Sequence, residues 1–193
     1  MARTSIRGAL RFLPATPARW KDVEALFGER GACAGCWCMW WRLTRTEFET
    51  NKGSRNKAAM KRLVESGSVP GILAYRDGKP VGWCSIGPRE GYSALERSRV
   101  LKRIDDAPVW SIVCFFVCKG ERRHGLTKEL IRAAVKYAGS RGASIVEGYP
   151  ISPKGSSYPD VYAYTGLASA FEDAGFFVAA RPSPRRAIYR LAL

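Results

Sequence analysis

Apolar residues fall along the chain in two spacings, and each spacing predicts a different element. Short apolar runs predict strands at Ala9–Leu13, Gly71–Arg76, Val81–Ile86, Ala143–Glu147, Phe176–Ala180 and Ala187–Leu191. Asp77-Gly78 between the second and third of these is a hairpin signal. Val109–Val117 is almost continuously apolar, which predicts a strand buried on both faces. Helical spacing appears elsewhere. Thr16 followed by Pro17 starts a helix whose apolar face is Trp20, Val23 and Phe27. A second helical region runs to about Ser66, best patterned over Ala58–Val64. Leu126, Leu130, Ala134 and Tyr137 form the inner stripe of a third helix, with Lys128, Arg132 and Lys136 outside. Gly166–Ala174 is a short helix stopped by Gly175. Gly91–Arg103 is a polar, basic excursion with some helical character. A hairpin followed by strand–helix–strand means a mixed sheet of the α/β (α+β) class.

Composition narrows the picture. Of the 193 residues, 46% are apolar and 25% charged, which is globular and fits one domain over residues 1–193. No apolar run is long enough to span a bilayer, and Met1–Arg7 has no apolar block behind it. The expectation is a cytoplasmic protein with no membrane partner. The net charge is +15, spread along the chain; such a field favours polyanions or phosphorylated ligands and repels polycations. Between Arg42 and Arg62 lie seven basic and two acidic residues, a basic helical face that leaves nucleic acid open as a partner. In a reducing compartment the six cysteines are thiols. Cys33, Cys36 and Cys38 resemble a metal clip, but there is no second ligand pair and His124 is the only histidine, so no metal is expected.

The chemistry concentrates where the buried strand ends. Val117 leads through a short basic turn into the Leu126 helix, and free N–H groups at a helix start bind phosphate. Gly125 lets a ligand approach the backbone, and Arg122 and Arg123 add charge. By itself the pattern fits either a phosphorylated ligand or an ordinary strand-to-helix turn. Arg122-Arg123-His124-Gly125-Leu126-Thr127, five residues after Val117, resembles the acetyl-CoA motif of the GNAT N-acetyltransferase superfamily, with Thr127 in place of the usual Gly or Ala. Phe171-Glu172-Asp173-Ala174-Gly175-Phe176 is similar to a second block of that family, and the element order matches from Ala9 to Leu191.

The resemblance implies a mostly antiparallel sheet with a splayed central parallel pair, Val109–Val117 against Ala143–Glu147, and flanking helices. Pantetheine would pair with the main chain of Phe115, Phe116 and Val117, and pyrophosphate would sit on Arg122–Thr127. The implied reaction is direct attack of an amine on the thioester of acetyl-CoA, the co-substrate. It needs a neutral amine, a donor to the acetyl oxygen, placed at the Phe115 and Val117 backbone, and a proton for the leaving thiolate. The family's usual acid, a tyrosine, is replaced by Phe171. Tyr164, two helical turns earlier, is either a displaced acid or a packing residue with water as the acid. Glu147 at a strand end is the candidate base, or else fixes the following loop. His124 is assigned to the loop rather than to proton transfer. Trp37, Trp40 and Trp41 would wall an apolar or cation-binding acceptor pocket or pack as core, and Arg42 beside them would hold a substrate carboxylate.

The reading is an N-acetyltransferase acting on a primary amine, free or linked to protein or RNA, with a homodimer open. The alternatives are an enzyme similar to the tRNA-acetylating toxins and a non-catalytic acyl-CoA-binding module.

Overall fold

The computed structural model describes residues 8–153, 162–183 and 186–193; the Met1–Arg7 stretch lies outside them. Seven strands form one sheet: β1 (Leu10–Pro14), β2 (Gly71–Arg76), β3 (Lys79–Pro88), β4 (Trp110–Val117), β5 (Ile145–Gly148), β6 (Phe177–Ser183) and β7 (Arg186–Ala192). Their order across the sheet is β1-β2-β3-β4-β5-β7-β6. Each neighbouring pair is antiparallel except β4 with β5. That parallel pairing covers only Trp110–Ile112 against Val146–Gly148. Beyond Ile112 the two strands part, so the sheet opens in the middle.

The helices cover both faces. α1 (Trp20–Phe27) follows a 3-10 turn over Pro17–Arg19, because proline fixes φ but leaves the next amides to close tightly. The basic helical region is two helices, α2 (Arg45–Thr50) and α3 (Ser54–Glu65), broken at Gly53, whose φ is 83°. Thr44 and Glu47 cap α2 reciprocally, each side chain bonding the other's backbone N–H. Val23, Leu26 and Phe27 of α1, with Met60 and Val64 of α3, pack on one face against Leu73, Tyr75 and Trp83. The opposite face is covered by α5 (Leu126–Ser140) and α6 (Ala168–Glu172). Leu126, Leu130, Ile131, Ala134 and Ala138 of α5 lie on Ile72, Cys84 and Ile86 there. Gly82 allows this approach, since a Cβ would stand 3.1 Å from Leu126.

The excursion after β3 contains one helical turn, α4 (Ser93–Glu96), and closes a third cluster around Tyr92, Leu95, Leu101 and Tyr149. Among the described residues no helix is long and apolar enough to cross a membrane.

Candidate active site

The opening in the sheet leads into a cavity of about 470 Å³. Its walls are the free end of β4 (Phe115, Phe116, Val117), the turn before α5 and the Ala163–Asp173 segment. Arg122, Arg123, Gly125, Leu126 and Thr127 all line it, together with Lys128. His124 is not on this wall. The loop is wound tightly: Arg123 has φ 62° and Gly125 φ 77°, both left-handed. No side chain caps α5 at Gly125. Gly125 O takes the Lys128 N–H, while the Leu126 and Thr127 amides before it precede any carbonyl of the helix that could pair them. Space is open around the Gly125 α-carbon, where any Cβ would stand. Leu126 splits its roles: its side chain is core and its N–H faces the loop.

Two backbone groups at the split are already committed. Phe115 N–H donates to the Tyr164 carbonyl at 2.6 Å, and Val117 C=O accepts from Arg122 Nε at 3.0 Å. Cys118 N–H bonds Val81 O, so by antiparallel alternation Val117 directs its N–H away from β3, toward the split. Of the two amides expected to meet the acetyl group, Phe115's is occupied by the chain itself, whereas Val117's points into the split and has no partner among the described residues.

A second cavity of about 340 Å³ adjoins the first and shares Ala32, Cys33, Phe115, Phe116 and Tyr164 with it. Trp40, Trp41, Phe48 and Trp83 supply much of its surface, with Cys36, Cys38 and Cys114 between them. The sequence grouped four residues here, and the structure separates them. Trp40 and Trp41 line the cavity. Trp37 is buried beside it, stacked on Trp20 at 6.1 Å and edge-on to Phe27 at 5.7 Å. Arg42 lies over the Tyr92 ring at 4.3 Å and donates to Gly91 O, so it is held against the excursion rather than facing the cavity. The wall segment is strained: Ala32, Ala34, Trp37 and Cys38 are all left-handed. Backbone hydrogen bonds from Ala32 to Phe27 O, from Gly35 to Arg30 O and from Trp37 to Gly31 O fix that conformation alongside the buried Trp37 ring.

Tyr164 is half-buried and lines both cavities. Burial raises its phenol above the ordinary value, so it is protonated at neutral pH. It reaches this place by a different route from the one expected. Tyr164 lies in a turn before α6 and shares no helix with Phe171. Phe171 is fully buried against Phe115 and Phe176, with its ring packed over Gly148 and Gly166.

Glu147 lines neither cavity. It is 1% exposed and accepts from Tyr149 Oη at 2.6 Å, Arg190 Nε at 2.8 Å and Arg89 Nη1 at 3.1 Å. Arg89, itself 1% exposed, also binds Glu96 and the Leu101 carbonyl. Arg190 reaches on to Asp105. Each Glu147 oxygen is thus engaged by a guanidinium, in a network that ties β5 and β7 to the excursion. Arg89 was not singled out from sequence; its partners lie too far along the chain for any local pattern to mark it.

The cysteines are free thiols. Cys38 accepts from Trp83 Nε1 at 3.3 Å; a hydrogen bond from Cys114 and this one hold its thiol below the usual value despite burial. Among the described residues no three His, Cys, Asp or Glu side chains converge to hold a metal ion.

The sheet is thus split in its middle, with the tightly wound turn before α5 at the mouth of the split. The family model for the acetyltransferase (GNAT) family matches residues 37–148, and the chain belongs to that family. Its fold is shared with the PaiA N-acetyltransferase of Thermoplasma acidophilum in complex with coenzyme A (11% identity, TM-score 0.54, 96% of this chain and 99% of that one). It is shared equally with the polyamine N-acetyltransferase of Drosophila melanogaster (13%, 0.57, 96% and 100%) and a GNAT-family acetyltransferase of Listeria monocytogenes (14%, 0.56, 95% and 95%). No protein of curated function matches the chain.

Proposed function

We propose that the chain, acting as one domain, transfers the acetyl group of acetyl-CoA to a primary amine. The observation that carries this reading is Tyr164, a protonated phenol at the junction of a cavity behind the phosphate-type loop and an aromatic cavity beside it. That the fold is shared with a coenzyme A complex and with agmatine and polyamine N-acetyltransferases supports it.

The loop suits the co-substrate: it brings the start of α5, a glycine without a Cβ, and the positive charge of Arg122, Arg123 and Lys128 to one cavity wall. In the reaction the neutral amine nitrogen forms a bond to the thioester carbon as the C–S bond breaks. Val117 N–H is the donor to the oxygen that gains charge. Tyr164 gives its proton to the departing thiolate, and the surplus amine proton leaves to water. Glu147 positions β5 and the excursion and takes no part in proton transfer. Purified protein incubated with acetyl-CoA and a panel of primary amines should release free thiol and yield the acetylated amine by mass. Binding of acetyl-CoA with no amine acetylated would overturn the assignment and leave an acyl-CoA-binding module.

A further inference from the structure

The acceptor cavity has an unusual wall for a protein that acetylates amines. It is lined by Trp40, Trp41, Phe48, Trp83, Phe27 and Phe116, and no carboxylate stands among its described residues. The one cation there, Lys52, leans over the Phe48 ring and pairs with Glu49, which is not on the wall. Diamines and polyamines reach an active site carrying at least one ammonium besides the reacting nitrogen. That second charge must be paired when water is removed around it. Attraction to a ring face falls well short of the cost of burying an unpaired ammonium. The long-range field acts in the same direction, because a chain of net charge +15 repels polycations before they arrive. A flat apolar body has the opposite balance. It meets mostly ring faces and thiols, and it loses water at little polar expense.

We infer that the acceptor is a primary amine carried on an aryl or similarly apolar body with no second positive charge. This rests on the amine-acetylating reading above and sets the chain apart from the agmatine and polyamine enzymes that share its fold. The reacting nitrogen enters neutral, forms the C–N bond as C–S breaks, and passes its surplus proton to water.

The test compares 2-phenylethylamine with putrescine and agmatine at saturating acetyl-CoA, by thiol release. kcat/KM for 2-phenylethylamine should exceed both of the others by tenfold or more. Ala34→Asp provides the converse. Ala34 lines the cavity, is exposed, and has φ 47°, a backbone that aspartate tolerates better than most residues. The added carboxylate should narrow the ratio at least fivefold in favour of agmatine. Equal or better use of putrescine or agmatine by the parent overturns the inference while leaving acetylation of amines intact. If no amine is acetylated, quenching of tryptophan fluorescence by the same amines, with coenzyme A present, still decides. Saturable quenching by 2-phenylethylamine but not agmatine upholds the cavity's chemistry; quenching by agmatine alone, or by neither, overturns it.

Discussion

Gly125 carries the phosphate-loop assignment in one backbone angle. At φ 77° a side chain is strained whatever the space around it, and the open space is where a phosphate would approach. Gly125→Val adds a β-branched side chain on both counts. Acetyl-CoA affinity measured by calorimetry should fall tenfold or more, about 1.4 kcal/mol. A folded variant that binds as tightly as the parent removes the loop from the site. Tyr164 is tested by the smallest change available, Tyr164→Phe, which deletes only the hydroxyl. Turnover should fall about 100-fold, the scale of general acid catalysis, with acetyl-CoA affinity nearly unchanged. The variant also keeps the Tyr164 carbonyl bonded to Phe115 N–H, so an effect on turnover reports the phenol and not the split. A fall of less than about twofold would make water the acid.

At the scale of elements, the excursion between β3 and β4 is held by charge more than by its one helical turn. Arg89 and Glu147 are both buried and paired with each other, with Glu96 also on Arg89 and Arg190 also on Glu147. Removing one partner of a buried pair leaves an uncompensated charge, which costs about 3–5 kcal/mol. Glu147→Ala should therefore lower the thermal midpoint by roughly 10 °C or more, at the 2–4 °C per kcal/mol expected for this chain length. Activity per folded molecule should persist at a temperature where the variant remains folded. Selective loss of the low-pH limb of the rate profile, with the midpoint unchanged, would instead return Glu147 to proton transfer. The strained segment Ala32–Cys38 shows the same logic with apolar contacts. Its left-handed residues are surrounded by the Trp37 contacts with Trp20 and Phe27 and by the segment's own backbone hydrogen bonds.

For the molecule as a whole, a net charge of +15 would draw in the anionic co-substrate proposed above. Some of the basic residues in α3 are engaged with carboxylates, Lys57 with Glu24 at 2.7 Å and Lys61 with Glu65 at 3.6 Å, so the helix is less open to a polyanion than its sequence suggests. The arginines lining the loop remain near the site of a phosphorylated ligand. Raising salt from about 0.05 M to about 0.5 M shortens the screening length several-fold. KM for acetyl-CoA should rise severalfold over that range while kcat holds. A KM indifferent to salt would mean that the field does not contribute to capture.

The strands, the α5 stripe and the loop at Arg122–Thr127 were legible in the sequence because each is a local matter. Periodicity declares which face is buried, and a glycine after a strand declares where the backbone turns. Boundaries moved by up to three residues except in the basic region, where Gly53 divides one expected helix into two, and at the excursion. What a group does once it reaches the site was decided by tertiary structure. From its strand end Glu147 could be a base or a carboxylate that fixes the next loop, and the choice between them turns on Arg89, 58 residues earlier, and Arg190, 43 later, which close on it. Trp37 and Trp40 are three positions apart, yet one packs as core and the other faces a cavity. The Phe115 amide is taken by Tyr164 across the split. One-dimensional spacing reports which residues want burial or a turn. It holds no record of partners brought together from distant parts of the chain, and those partners determine whether a charge, a ring or an amide is free to do chemistry.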